Sequence, residues 1–265
     1  MLYAVTSDLH YDLKHLWKES PSAFMERLNF KAPPFLIIAG DLVSFAEENL
    51  ESAFQFLKGF NGNILFTPGN HDLWTKKGNS FDVYTKFIPD LCEKYGIHYL
   101  DDKPFIFSKT AIVGNIGWYD YTFRNPDLGY RISRYRRKIF PDGSEWMDRR
   151  YIKWDFKDED FTFFCIDKLK NQLEEVAPEV EEIVIIMHHI PFKELVYKKN
   201  DKMWIFGNAY MGSKRIGEEI LKHEKVKRLY CGHAHQDVVA EINGIYCRCI
   251  GSNYRKKVVE FFEIR

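Results

Sequence analysis

Five short apolar runs in this 265-residue chain each stop at a compact cluster of aspartate, asparagine, histidine and glycine. Leu2 to Val5 leads to Asp8-Leu9-His10, Phe35 to Ala39 leads to Gly40-Asp41, and Asn63 to Thr67 leads through Pro68 to Gly69-Asn70-His71-Asp72. Ile183 to Met187 leads to His188-His189, and Lys227 to Cys231 leads to Gly232-His233-Ala234-His235. Runs of this length, rich in β-branched and aromatic residues, read as strands, and several alternate with stretches of helical period. In open α/β sheets ligands bind beyond the carboxyl ends of strands, so the five clusters are expected to converge on one rim.

The rest of the chain supplies the frame. Between the second and third runs, Glu47 to Phe60 carries Leu50, Ala53, Phe54 and Leu57 on one helical stripe, which makes a βαβ unit. Phe105 to Phe107 and Ala111 to Gly114 read as further strands, and helices are expected at about Phe164 to Val176 and Ser213 to His223. Asn243-Gly244 suits a type I′ turn joining Val238–Ile242 to Ile245–Ile250, and Val258 to Ile264 closes the sheet. At this length one domain spanning 1–265 is expected. Residues 119–160 break the pattern, being aromatic and without clean periodicity. Residues 124–157 hold ten Lys or Arg against five Asp or Glu, a net +5 by subtraction, and the segment reads as an insertion or cap over the rim.

Composition removes several classes of function. Lys plus Arg equals Asp plus Glu at 38 each, so no global field draws the chain to nucleic acid or a membrane surface. No apolar run approaches the roughly 20 residues of a membrane span, and no cleavable leader is expected before the first strand. Five scattered cysteines without zinc-like spacing point to a reducing compartment, and the cytoplasm is the expected location.

Carboxylates, an amide oxygen and imidazoles are what a pair of divalent cations requires. Asp8 and His10, two apart on an extended end, share a side; by itself this pair is also explained by a solvated turn. Gly40-Asp41 alone is ordinary turn chemistry. Gly69-Asn70-His71-Asp72, after a proline, forms a sharp turn that aims an amide and an imidazole one way. Adjacent strand residues point to opposite faces, so one of His188 and His189 should reach the site; His188 is favoured and His189 is the alternative. In Gly232-His233-Ala234-His235, two imidazoles separated by one small residue can each bind a different ion.

Asp-x-His, Gly-Asp, Gly-Asn-His-Asp, His-His near a proline and Gly-His-x-His, in that order from residue 8 to 235, resemble the calcineurin-like metallophosphoesterase superfamily. The resemblance implies an α/β fold, a four-layer α-β-β-α sandwich of two mixed β-sheets with flanking helices and a metal site at the C-terminal strand ends. It implies that Asp8, His10 and His235 hold one ion, that Asn70, His188 and His233 hold the other, and that Asp41 bridges them. His71 resembles the histidine that stabilises the phosphoryl group or protonates the leaving oxygen, and Asp72 or a backbone carbonyl is expected behind a ligand imidazole. The implied reaction is in-line attack on phosphorus by a water shared between two divalent ions, with Mn²⁺, Fe²⁺ or Fe³⁺, Zn²⁺ and Ni²⁺ all compatible with the mixed ligands. Where many members carry Asp or Asn, three residues after the bridging aspartate, this chain has Ser44.

The expected partner is a small phosphorylated compound, mono- or diester. Nucleic acid along the basic insertion and a non-catalytic module on the same fold are the alternatives. Trp118, Tyr119, Arg124, Phe206 and Asn208 are the candidate substrate contacts, with Trp204, Arg149 and Arg150 nearby. Pro68 before Gly69, Asp72 in place of Glu and Ser44-Phe45-Ala46 after Leu42-Val43 depart from the protein phosphatase branch.

Overall fold

The computed structural model describes residues 2–263, so the expected strand end at Ile264 lies outside the described residues. Among the described residues eleven strands form two sheets. In the first, β1 (Leu2–Thr6), β2 (Phe35–Ala39), β3 (Asn63–Thr67) and β4 (His98–Tyr99) run parallel, and β11 (Glu260–Glu263) lies antiparallel on the outer edge of β1. The second has the order β5-β6-β7-β8-β10-β9, with β6 (Thr110–Asn115), β7 (Glu182–Met187), β8 (Val226–Cys231) and β10 (Ile245–Cys249) parallel. β5 (Phe105–Phe107) and β9 (Val238–Ile242) are antiparallel edges.

The sheets pack face to face because alternate residues of each strand are apolar on both sides. Tyr3, Val5, Ile37 and Leu65 point inward against Ile112, Val184, Ile186 and Tyr230 and form the middle layer. The intervening residues face outward. Ala4, Leu36, Ile38 and Phe66 are covered by helices Pro21–Lys31 and Ala46–Leu57, the latter through Leu50, Ala53, Phe54 and Leu57 as the stripe requires. Ala111, Val113, Ile183 and Ile185 are covered by Leu169, Leu173 and Val176 of helix Asp158–Val176 and by Ile216 and Ile220 of helix Lys214–Ile220. The result is the four-layer α/β sandwich expected.

Boundaries differ where local chemistry outweighs periodicity. The long helix starts at Asp158 rather than near Phe164, because three acidic residues occupy its first turn, where the helix dipole favours them. The hairpin is as expected, with Asn243 and Gly244 both at positive φ (49° and 78°). The last strand joins the first sheet, beside β1, rather than the sheet that holds the hairpin. The five cysteines are free and buried, and no helix among the described residues is long and apolar enough to cross a membrane.

Candidate metal centre

Stacking two sheets with parallel strands brings the carboxyl ends of β1, β2 and β3 opposite those of β7 and β8. Backbone bonds lock the emerging loops together: the Asp8 amide donates to the Gly40 carbonyl (3.0 Å), the His10 amide to Asp41 (3.0 Å) and the Gly232 amide to His188 (3.1 Å). Asp8, His10, Asp41, His233 and His235 all have left-handed backbone, with φ between 44° and 71°. This conformation costs non-glycine residues roughly 1 kcal/mol or more. It turns each loop sharply enough for both flanking side chains to face the rim. Two glycines make room: a Cβ on Gly40 would lie 2.3 Å from His188 Nδ1, and one on Gly69 would lie 2.2 Å from Asp41 Oδ1.

The side chains fall into two groups that share Asp41: Asp8, His10, Asp41 and His235, and Asp41, His188 and His233. Asn70 completes the second, its Oδ1 3.1 Å from His188 Nε2. In this group His188 Nε2 is 3.3 Å from Asp41 Oδ1 and 3.1 Å from His233 Nδ1. In the first group His235 Nε2 is 3.3 Å from Asp8 Oδ1 and 3.5 Å from His10 Nε2, and His10 Nε2 is 3.8 Å from Asp41 Oδ2. Ligand atoms about 2.1 Å from a common ion sit roughly 3.0 Å apart at octahedral angles and roughly 3.4 Å apart at tetrahedral ones, and these separations are of that size.

Tautomers strengthen the fit. His188 Nδ1 is 3.1 Å from the Ala39 carbonyl and His233 Nε2 is 3.1 Å from the Tyr210 carbonyl. Carbonyls only accept, so those nitrogens donate and the opposite ones, Nε2 and Nδ1, carry lone pairs aimed at each other. Two imidazole lone pairs, a carboxylate oxygen and an amide oxygen in mutual contact are a buried acceptor cluster that a cation satisfies. In the bare protein a proton answers the same need: burial alone would push the His188 imidazole down, but the adjacent Asp41, with Asp8, raises it to about 9. Burial, reinforced by neighbouring His71, holds His10 well below its ordinary value and leaves that ring neutral. The imidazole of His189 is outside both groups. Its Nδ1 reaches the Ile116 carbonyl (3.2 Å) and its ring packs on Trp118, whereas the ring of His188 lies within the second group.

Asp72 does not stand behind a ligand imidazole. Fully buried, it accepts the amides of Gly69 (2.8 Å), Val43 (2.9 Å) and Leu42 (3.3 Å), and so clamps the Gly69–Asp72 turn to the loop after β2. Backbone carbonyls, not Asp72, take the ring N–H groups of His188 and His233. His71 lines the open cavity beside the cluster, its Nε2 3.8 Å from Asp41 Oδ2 and its Nδ1 3.3 Å from the Ser44 hydroxyl. Burial holds its imidazole below the ordinary value. Trp74 stacks on its face with ring centres 3.6 Å apart.

The expected substrate contacts divide. Asn208 lines the cavity; Trp118, Tyr119 and Phe206 do not, because their rings are fully buried as packing beneath it. Arg124 also lies off the cavity and donates to the Tyr121 carbonyl (3.3 Å). Arg149 and Arg150 both pair with Glu145, Arg136 with Glu159 and Lys138 with Asp158. Glu145 is already counted in the net +5, so Asp158 and Glu159 offset two of those charges.

Asp148, inside the insertion, was invisible to periodicity. It is buried, and its carboxylate accepts four hydrogen bonds: Oδ1 from Asn70 Nδ2 (2.8 Å) and Trp74 Nε1 (2.7 Å), Oδ2 from Tyr119 (2.9 Å) and Trp146 Nε1 (2.7 Å). Holding the Asn70 amino group turns the amide oxygen toward His188. Holding the Trp74 indole fixes the surface on which His71 lies. Trp74 had a readable signal, since it follows His71 by three residues and a turn brings such positions together; Asp148 had none.

Comparison with known proteins follows the same lines. A sequence profile described as calcineurin-like phosphoesterase matches residues 1–237, which include all five clusters. Similar solved structures include phosphopantetheinyl hydrolase from Mycobacterium tuberculosis, 17% identical with a TM-score of 0.68 over 94% of this chain and 89% of that one. A dimetal phosphatase from Danio rerio is 12% identical with a TM-score of 0.54 over 95% of this chain and 87% of that one. A purple acid phosphatase from yellow lupin seeds is 11% identical with a TM-score of 0.52 over all of this chain and 46% of that one. At such identities the likeness is one of fold. No curated protein matches the chain significantly.

Proposed function

The chain belongs to the calcineurin-like phosphoesterase family, and on that premise we propose that it hydrolyses a phosphoester at a centre of two divalent cations. Asp8, His10 and His235 would hold one ion, Asn70, His188 and His233 the other, and Asp41 both. The observation that carries this reading is the pair of donor-atom groups meeting at Asp41, with the imidazole lone pairs of His188 and His233 facing each other across 3.1 Å and the His10 and His235 Nε2 atoms 3.5 Å apart. When bound, such a pair of ions supplies Lewis-acid polarisation of the phosphoryl oxygens and a water acidic enough to attack at neutral pH.

The chain's own residues do the remaining work. Asp148 fixes the Asn70 amide, and the Ala39 and Tyr210 carbonyls fix the imidazoles, so little reorganisation accompanies binding. His71 stands at the mouth of the cluster on Trp74. With the Ser44 hydroxyl donating to Nδ1, its Nε2–H faces the cavity, where it can bond a phosphoryl oxygen or pass a proton to the leaving oxygen. A hydroxyl cannot stabilise an imidazolium as a carboxylate would, which favours the hydrogen-bonding role. Elemental analysis of protein purified without chelator, paired with hydrolysis of an aryl phosphate across Mn²⁺, Zn²⁺, Fe²⁺ and Ni²⁺, tests the reading. Two ions per chain with turnover is expected; fewer than two bindable ions, or no turnover with any metal, refutes it.

A further inference from the structure

A cavity of about 620 Å³ opens from the cluster, with Asp41, Asn70, His71, His233 and His235 at its floor. That is within the roughly 300–1,000 Å³ that accommodates a drug-sized molecule, far more than a phosphoryl group fills. Its walls are mainly rings and thioethers: Trp74, Phe140, Trp146, Met203, Trp204 and Met211. Among the described residues no lysine or arginine lines it, and its charged wall residues above the floor are the acids Glu145 and Asp201. Glu145 is neutralised from outside by Arg149 and Arg150. Asp201 caps a helix by accepting the Trp204 amide at 2.9 Å, so any field it contributes is negative.

With the proposed ions bound, this arrangement would offer positive charge only at the floor. A second phosphate or a carboxylate farther along the ligand would meet aromatic faces and a carboxylate, with the neutral amides of Asn208 and Gln236 and the Tyr254 hydroxyl, but no cation, to replace its lost hydration. An apolar chain or ring, by contrast, loses water to Trp146, Met203 and Trp204. Trp146 is held rigid, stacked on Tyr210 at 5.2 Å and bonded to Asp148. Trp204 is pinned by its indole N–H to the Tyr197 carbonyl at 2.8 Å.

We propose that this cavity is the leaving-group pocket and that the substrate is the phosphate monoester of an uncharged, largely apolar alcohol. The proposal rests on the phosphoesterase reading above. The reaction it specifies is hydrolysis: water adds to phosphorus, the bond from phosphorus to the ester oxygen breaks, and that oxygen leaves with a proton as the free alcohol beside inorganic phosphate.

Binding separates the pocket from the chemistry. Calorimetric titration of the Mn²⁺-loaded full chain with ethyl-, propyl-, butyl- and hexylphosphonate should show affinity rising about two- to fourfold per methylene, with a negative heat-capacity change. Propylphosphonate should bind at least about tenfold more tightly than 3-phosphonopropionate, which adds one charge to the chain end. Trp204→Ala, at a half-buried position, should flatten the chain-length series. Affinity independent of chain length, or equal binding of the charged analogue, overturns the assignment even if simple phosphate esters are hydrolysed. A rising series with no turnover of any alkyl or aryl phosphate under any metal supports the pocket and refutes the phosphoesterase reading instead.

Discussion

Replacing Asp148 with asparagine keeps the shape of the side chain and removes one acceptor oxygen from a buried site where four donors converge. An amide offers one oxygen and one NH₂ group. The less costly placement keeps the oxygen on Asn70 Nδ2 and Trp74 Nε1, and sets the NH₂ group against the Tyr119 hydroxyl and Trp146 Nε1. The hydroxyl can rotate to accept; the indole cannot. One charge-assisted bond is lost, and such bonds contribute about 1.5–3 kcal/mol. At about 2–4 °C per kcal/mol for a chain near this size, the metal-free protein should melt about 3–12 °C lower. The informative quantity is the effect on metal. The neutral amide oxygen still accepts from Asn70 Nδ2 but without the carboxylate's charge, so the ion assigned to Asn70, His188 and His233 should lose affinity by about tenfold, the low end of the range for a weakened ligand-orienting group. Asp148 makes no bond to Asp8, His10 or His235, so the other ion should keep its affinity. Competition against a chromophoric chelator resolves the two constants, and melting with and without metal separates folding from binding. If Asp148→Asn lowers the melting temperature but binds both ions as tightly as the parent chain, Asp148 is a packing residue and its positioning role is wrong.

Four further outcomes follow from the same geometry. Asp41→Asn should leave fewer than two ions per chain by elemental analysis and bring aryl phosphate turnover to background; full occupancy with normal turnover would refute a shared carboxylate. His71→Ala should keep two ions but lower kcat by about 10²–10³-fold, the usual cost of removing one hydrogen-bond donor to the transition state; a loss of metal instead would make it a ligand. His189→Phe should retain two ions per chain despite the loss of its bond to the Ile116 carbonyl, whereas loss of one would reassign the ligand within the histidine pair. Dialysis against chelator should abolish turnover and lower the melting temperature, since ligand at 100 times its Kd stabilises a fold by about 2.7 kcal/mol; an unchanged melting curve would contradict a buried metal centre.

Much of the fold was legible because both periodicity and cluster position are local properties. Strands buried on both faces must be apolar throughout, so β1, β2, β3, β7 and β8 stood out, and the polar residues after each could be assigned to one rim. The stripe Leu50, Ala53, Phe54 and Leu57 fixed a helix for the same reason. β4 was missed because His98 and Tyr99 are a two-residue strand, too short for any period. The basic, aromatic insertion misled in detail. An arginine looks alike in sequence whether it faces solvent, a substrate or Glu145, and Trp118 and Phe206 look alike whether they wall a pocket or fill a core.

The sequence by itself determined which residue types could meet a pair of cations and at which strand ends they would lie, because chain connectivity and strand direction place them there. Only the tertiary structure decided which atoms converge. It selected the ring of His188 over that of His189 through the Ala39 carbonyl, made Asp72 a backbone clamp, and brought Asp148 across 78 residues to hold Asn70. It also set aromatic walls without cations above the cluster. Each of these depends on groups far apart in sequence approaching within a few ångströms, and a hydrogen bond or a stacking contact is specified by that approach, which no local pattern records.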